Sequence, residues 1–313
     1  MAKLMLEVNN LNVSIKVKQK VYPALEDITF KVNENQVVGV VGESGSGKSL
    51  TAQSILGILP ANTEVTGSIK LENDELINKS SKAWQKLRSN EVSLIFQEPM
   101  TALNPLMKVG KQISEVLRKH TNYSNNECYR KTIDILKEVG LKRPESIYHS
   151  YTHELSGGMR QRIVIAIALV NNPKLIIADE PTTALDVTIQ AQIIDLLKDI
   201  MKKRNGAMLF ISHDWGVISQ VCDYVLVMYA GKIVEQGPME NLISNPQHPY
   251  TKGLLKAIPD FKKRGEALYS IPLRVPALTE RRKGNWPYIE ITEENKQVVA
   301  DIFPEILQRE TKE

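Results

Sequence analysis

Val37-Val38-Gly39-Val40-Val41-Gly42-Glu43-Ser44-Gly45-Ser46-Gly47-Lys48-Ser49 is the stretch on which the fold turns. Its first five residues are a continuous apolar run, the pattern of a strand buried on both faces. Residues 49–59 follow with helical character and stop at Pro60. Between them, residues 42–49 satisfy G-x-x-x-x-G-K-[ST] in the strand–turn–helix setting that phosphate binding requires. Glycines at 42, 45 and 47 let the backbone curl until successive N–H groups face one spot, capped by the positive end of the following helix. Gly42, Ser44, Gly45, Ser46, Gly47, Lys48, Ser49 and Leu50 are therefore the candidate phosphate-site residues. In such a loop Lys48 reaches the β- and γ-phosphates and Ser49 offers its hydroxyl to Mg²⁺.

Outward from this point, Leu4-Met5-Leu6-Glu7-Val8 and Ile28-Thr29-Phe30-Lys31-Val32 alternate as strands do, and residues 67–72 and 92–96 read the same way. From about residue 106 to 171 the periodicity is helical, and from 175 to 237 strands alternate with helices. The expected class is α/β with a helical insertion. A boundary is expected at Gly237-Pro238, followed by a short helix, the loop Asn245-Pro246-Gln247-His248-Pro249-Tyr250, a second helix and a proline-punctuated tail. No internal repeat is present.

Composition narrows the function. The 313 residues are 42% apolar, 24% charged and 6% aromatic, with a net charge of only +4. That balance does not describe a dedicated nucleic-acid binder, so no nucleic-acid partner is expected. Two cysteines, Cys128 and Cys222, are too few for a disulfide framework and read as buried thiols. The first residues lack the apolar core of a secretory signal, and no run approaches the roughly 20 apolar residues of a membrane span.

Lys174-Leu175-Ile176-Ile177-Ala178-Asp179-Glu180-Pro181 is an apolar strand ending in two carboxylates. In a parallel sheet they fall at the same edge as the phosphate loop. Asp179 is the candidate magnesium ligand, and Glu180 the candidate catalytic carboxylate that polarises an attacking water.

Leu155-Ser156-Gly157-Gly158-Met159-Arg160-Gln161-Arg162 resembles the signature of the ATP-binding cassette (ABC) family. Read from its residues alone, Ser156 is a natural helix N-cap, the two glycines leave the backbone amides open, and Met159, Ile163, Ala166, Ile167 and Val170 form one apolar stripe. The resemblance implies an ABC-type P-loop NTPase fold. It has a RecA-like mixed-sheet core, an antiparallel β subdomain and a helical subdomain at about 98–172, all within a cassette of residues 1–237. A small C-terminal extension, 238–313, follows. It implies ATP as substrate with Mg²⁺, and a site completed by dimerisation: Ser156, Gly157 and Gly158 of one subunit face the nucleotide held by the phosphate loop of another. It further implies that Gln97 touches magnesium and senses a transmembrane partner. Asp186, in Ala184-Leu185-Asp186, crosses the dimer interface, and catalytic His213 bonds the γ-phosphate and positions Glu180. Tyr22 is the candidate aromatic for stacking adenine. His120, His149 and His153 read as ordinary polar residues and His248 as structural.

The segments at 96–105, 245–255 and 271–276 are similar to the dipeptide/oligopeptide/nickel importer subfamily, and within it to the D-type ATPase. This resemblance implies a peripheral protein on the cytoplasmic face of the membrane. Its implied partners are a paralogous F-type ATPase, two transmembrane permease subunits and an external substrate-binding protein. It leaves peptide and nickel open as cargo. Many relatives carry a cysteine-rich C-terminal segment, yet no cysteine follows Cys222, so no thiolate-held iron–sulfur cluster is expected here. Residues 280–313 instead read as Glu-Arg-Arg-Lys followed by an acidic-basic helix, expected to be a solvated tail or a dimer-stabilising flap. The competing reading is a soluble ABC-type ATPase acting on nucleic acid or ribosomes. It is disfavoured because the stretch from Gln97 to Ser156 is too short for a long coiled-coil insertion and the chain holds one cassette.

Overall fold

Strands that read as five-residue fragments extend much further in the computed structural model: β1 spans Leu4–Val17 and β2 spans Lys20–Asn33. Polar residues just outside those runs lie within the continuing strands. Asn10 and Asp27 take positive φ, 45° and 55°. Their irregular backbone is held by side chains, with Asn10 N–H donating to Thr29 Oγ1 (2.9 Å) and Asp27 N–H to Asn12 Oδ1 (3.0 Å). The structure describes residues 3–183, 185–258, 275–283, 286–287 and 296–303.

The remaining elements, in chain order, are β3 (Val37–Val41), α1 (Lys48–Leu56), β4 (Thr63–Leu71), β5 (Asp74–Glu75), α2 (Ser81–Leu87), β6 (Val92–Ile95) and α3 (Pro99–Ala102). The helical insertion comprises α4 (Val109–His120), α5 (Asn125–Glu138), α6 (Pro144–His149) and α7 (Gly157–Leu169). Then come β7 (Leu175–Asp179), α8 (Val187–Lys203), β8 (Ala207–Ile211), α9 (Trp215–Val221), β9 (Tyr224–Tyr229), β10 (Lys232–Pro238), α10 (Met239–Ser244), α11 (Pro249–Lys256) and α12 (Lys296–Ile302). None of the described helices is long and apolar enough to cross a membrane.

The chain divides into two compact units, each drawn from several stretches. The first comprises Met1–Leu6, Lys31–Val37 and Leu71–Ile211; the second comprises Glu7–Phe30, Val38–Lys70 and Ser212–Glu313. In the first, β7 runs parallel to β6 on one side and to β8 on the other, with Leu175 opposite both Val92 and Ala207. The interior of β7 and all of β8 are buried, as continuous apolar strands in a parallel sheet must be. Helix α5 opens with a capping box: Ser124 Oγ accepts from Glu127 N–H while Glu127 Oε2 accepts from Ser124 N–H. Arg204, beyond the end of α8, forks onto both carboxylate oxygens of Glu138 at 2.8 and 2.9 Å, fixing α8 against α5.

Helix α7 departs from the one-stripe expectation. Val164, Ile165, Ala168 and Leu169 are buried along with Ile163 and Ala166, whereas Met159, Ile167 and Val170 are only half-buried. A helix apolar on all sides is packed on most of them, so a single stripe understates its burial.

In the second unit, β9 is parallel to β3 and antiparallel to β10. Tyr229 of β9 gathers an aromatic cluster with Tyr250 of α11, Trp286 and Phe303, at centroid distances of 4.9, 6.2 and 4.6 Å. This corrects the expectation of a solvated tail. Arg281, Trp286 and Phe303 are 4%, 6% and 0% exposed, because aromatic rings that the charge pattern concealed anchor the segment. Of the expected acidic-basic helix only α12 is described; the stretches on either side of it, 288–295 and 304–313, lie outside the described residues.

Candidate nucleotide-binding site

The phosphate loop leaves buried β3 and enters α1, and its shape depends on missing side chains. A Cβ at Gly42 would stand 2.2 Å from the Met228 carbonyl oxygen, so only glycine lets the loop pass this close to β9. Lys48 is buried and its Nζ donates to the carbonyls of Gly42 (2.8 Å) and Glu43 (3.0 Å), curling back over the loop. Ser46 N–H donates to Glu43 O at 3.2 Å, and Gly231 N–H donates to Ser46 O at 2.8 Å. Helix α1 starts at Gly47 without a side-chain cap on its first amides. Ser44, Gly45 and Ser49 are exposed and Leu50 half-buried. Ser46 Oγ is buried without a hydrogen-bond partner among the described residues. A helix start with no side-chain cap, an exposed loop and a hydroxyl without a partner among the described residues fit a bound polyphosphate, which would supply oxygen acceptors there.

Glu43 carries the loop's one carboxyl, and burial pushes it above the ordinary value, opposed by the Tyr250 hydroxyl and by Lys48. Tyr250 Oη lies 3.3 Å from Glu43 Oε2 and accepts from Glu43 N–H at 3.4 Å. Tyr22 is buried, with the Arg282 guanidinium 5.4 Å from its ring centroid. His213 is exposed, just before Asp214, which caps α9. These residues, with the phosphate loop, belong to the second unit.

The first unit holds the other candidates. Asp179 ends β7 half-buried, and Glu180 follows with φ 47°, a backbone turn that lifts its carboxylate off the strand end. Glu180 Oε2 accepts from Gln97 Nε2 (3.0 Å) and from Thr183 Oγ1 (2.9 Å). The structure thus brings Gln97 onto the candidate catalytic carboxylate itself. Ser156 caps α7 by accepting from Met159 N–H, and both Ser156 and Gly157 are exposed at the helix tip. Gly158 has a packing role the sequence reading lacked: a Cβ there would lie 2.8 Å from Ile189 Cγ2 of α8. Asp186 caps α8, its Oδ1 accepting from Ile189 N–H at 2.9 Å. Ala184 lies outside the described residues.

Four residues to which the sequence reading gave no contact with the site touch the candidates. Thr183 bonds Glu180, and Arg160 ties the signature helix to the Thr152 carbonyl (2.8 Å) and to the Met100 sulfur. Tyr250 and Arg281 reach the phosphate loop. Only the proximity of Thr183 to Glu180 could have been read from spacing. Among the described residues no cluster of three or more His, Cys, Asp or Glu could hold a metal. The Ser49 hydroxyl and Asp179 carboxylate are hard oxygen donors with access to water, the donor type Mg²⁺ prefers. Cys128 and Cys222 are both free and buried.

The ABC transporter family model matches residues 25–183, and the model for the oligopeptide/dipeptide transporter C-terminal region matches 234–288. The chain is 47% identical over 276 residues to the oligopeptide transport ATP-binding protein OppD of Lactococcus lactis subsp. cremoris, covering 88% of this chain and 82% of the relative. It is 48% identical over 274 residues to the oligopeptide transport ATP-binding protein AppD of Bacillus subtilis, covering 87% and 84%. A similar solved structure is the ATP-binding cassette MJ0796, a dimer in a post-hydrolysis state bound to ADP and Pi. It has a TM-score of 0.67 and 25% identity, covering 75% of this chain and 99% of that one. With a phosphate loop, a strand-end carboxylate pair and a capped Ser-Gly-Gly helix in one α/β chain, this protein belongs to the ABC transporter family, as an ATP-hydrolysing subunit with an oligopeptide/dipeptide transporter C-terminal region.

Proposed function

We propose that the chain energises import of oligopeptides or dipeptides from the cytoplasmic face of the membrane, as a peripheral subunit beneath two permease subunits fed by an external binding protein. The relatives named above are oligopeptide transport proteins, and nothing in them supports nickel as cargo or a role on nucleic acid or ribosomes. No described helix is long and apolar enough to cross a membrane, and this reading gives the spans to the permease subunits. Exposed Phe96, Met100 and Leu106, following β6 beside Gln97, offer an apolar surface on which such a partner can dock. The cassette is taken as residues 1–237 and the extension as 238–313.

The observation that carries this reading is the exposed tip of α7: a serine-capped helix N-terminus at Ser156 and Gly157, open to a ligand from outside the chain. A second ATPase subunit, the paralogous F-type, would supply the phosphate loop that α7 faces. Its own α7 would face residues 42–49 here. Lys48 and the loop from Gly42 to Leu50 grip the triphosphate, Tyr22 receives the base, and Glu180 polarises the attacking water, as general base or by orienting it, with His213 beside the γ-phosphate. Gln97, bonded to Glu180, holds that carboxylate in place until the permease contact moves it. Mg²⁺, held by Ser49, Asp179 and Gln97, would neutralise charge developing on the phosphates.

The test is reconstitution of the chain with candidate permease and partner ATPase subunits in vesicles. ATP-dependent uptake of labelled oligopeptide is expected. Uptake of nickel alone, or failure to co-purify with any membrane subunit, overturns the reading.

A further inference from the structure

The phosphate loop is held from outside by a residue far along the chain. Arg281 is 4% exposed, and its guanidinium bonds main-chain carbonyls from three segments. Nη2 donates to Gly45 O at 2.7 Å, Nη1 to Ala24 O of β2 at 3.2 Å, and Nε to Pro276 O at 3.3 Å. Arg281 and Gly45 are 236 positions apart. Val275 of the same segment lies against Gly45, its Cγ1 3.7 Å from where a Cβ would be.

These contacts fix one peptide plane at both ends. The carbonyl of Gly45 is held by Arg281, and the N–H of the same peptide, that of Ser46, is held by Glu43 O. A peptide unit is planar, so turning it would break both bonds. Gly45, exposed and at φ 81°, has no side chain to resist that turn. The guanidinium also places a positive charge beside the loop, favouring an anion within it. Its planar fork meets three carbonyls at once, which a lysine ammonium on a flexible stem cannot reproduce.

We propose that Arg281 is a positioning residue of the nucleotide site, through which the C-terminal extension sets how tightly the phosphate loop holds a polyphosphate. The proposal rests on the reading of residues 42–49 as the ATP phosphate site. It is tested by titrating the full chain calorimetrically with ATP and with inorganic tripolyphosphate, which engages the loop but carries no base. Arg281→Gln weakens both ligands about tenfold at unchanged stoichiometry, the loss expected for one charge-assisted hydrogen bond. Arg281→Lys, which keeps the charge, gives a smaller loss, and Lys283→Ala, exposed on the same segment, gives none. A merely structural defect would lower the stoichiometry and leave the dissociation constant of the folded fraction unmoved. Lys48→Ala separates the two readings. Undiminished binding by that variant removes the phosphate-site assignment itself. Its loss alongside unaltered affinity in both Arg281 variants overturns only the positioning role. Should Arg281→Gln not fold, Arg281→Lys and the unaltered chain decide. By reciprocity of coupling, tripolyphosphate must slow amide hydrogen exchange in residues 277–283, and unchanged exchange there refutes the proposal.

Discussion

Glu180→Gln separates chemistry from binding, and the structure sets the scale of each. The carboxylate is half-buried and accepts from Gln97 Nε2 and Thr183 Oγ1 at 3.0 and 2.9 Å. Both bonds end on Oε2, so a glutamine that places its carbonyl oxygen there keeps the shape and both bonds, each now to a neutral acceptor. That costs about 1–2 kcal/mol of stability, less with solvent screening. The chemical loss is larger. A positioned general base contributes roughly 10²–10⁴-fold, or about 2.7–5.4 kcal/mol of barrier. Nucleotide affinity, set by the loop at 42–49, is unaffected by either term. The assay is phosphate release by the assembled transporter, beside calorimetric ATP binding and a thermal unfolding midpoint for the same preparation. Expected are near-normal affinity, a midpoint lowered by a few degrees and release slowed at least a hundredfold. Release within tenfold of the unaltered protein, with binding intact, refutes the assignment of Glu180 to the attacking water.

Further outcomes follow from particular contacts. Gly42→Ala drives a Cβ to 2.2 Å from Met228 O, so the loop must shift. ATP affinity falls at least tenfold in a direct titration, and normal affinity contradicts the role given to this close approach. Gly158→Ala puts a methyl 2.8 Å from Ile189 Cγ2 and separates α7 from α8, lowering stability by about 1–3 kcal/mol in urea titration. Ion pairs with Lys174 (2.6 Å) and Lys3 hold the Glu72 carboxyl below its ordinary value. A depressed carboxyl stabilises the fold above its unfolded pKa and loses that contribution as pH falls through its native one. Glu72→Gln is therefore slightly less stable than the unaltered chain at neutral pH, and the gap closes in strong acid; a gap independent of pH rules out the ion pairs as its source.

Much of the candidate nucleotide site was legible because its elements are local. A buried strand, a glycine turn and a helix start occupy thirteen consecutive residues, and each is specified by near neighbours. Asp179 and Glu180 were legible for the same reason, as polar residues ending an apolar run. What escaped the sequence was set by tertiary contact. The runs read as strands, 4–8 and 28–32, stop short of Asn10 and Asp27, polar residues that take positive φ inside the strands. Only Thr29 and Asn12, brought alongside by pairing, show that the strands continue. Residues 81–87 form α2 although no helix was expected between the strands at 67–72 and 92–96. The burial of α7 was underestimated because a helix enclosed on most sides has no polar face for periodicity to detect.

Eight consecutive residues spell the phosphate loop, but its geometry is assembled from four distant places. Met228 O limits how bulky residue 42 can be, Gly231 N–H holds the Ser46 carbonyl, Tyr250 reaches Glu43, and Arg281 holds the Gly45 carbonyl. Two of these four belong to the C-terminal extension, which is docked by Trp286 and Phe303 against Tyr229 on the strand that also supplies Met228. Loosening the aromatic cluster therefore disturbs the loop by two routes at once, through the Tyr250 and Arg281 contacts and through β9. For this reason the motif spelling alone cannot determine affinity: chains with the same eight residues but a differently anchored extension would hold the same triphosphate with different strength. The extension belongs to the nucleotide site as much as the glycines do, and a change confined to it should be read first in ATP binding.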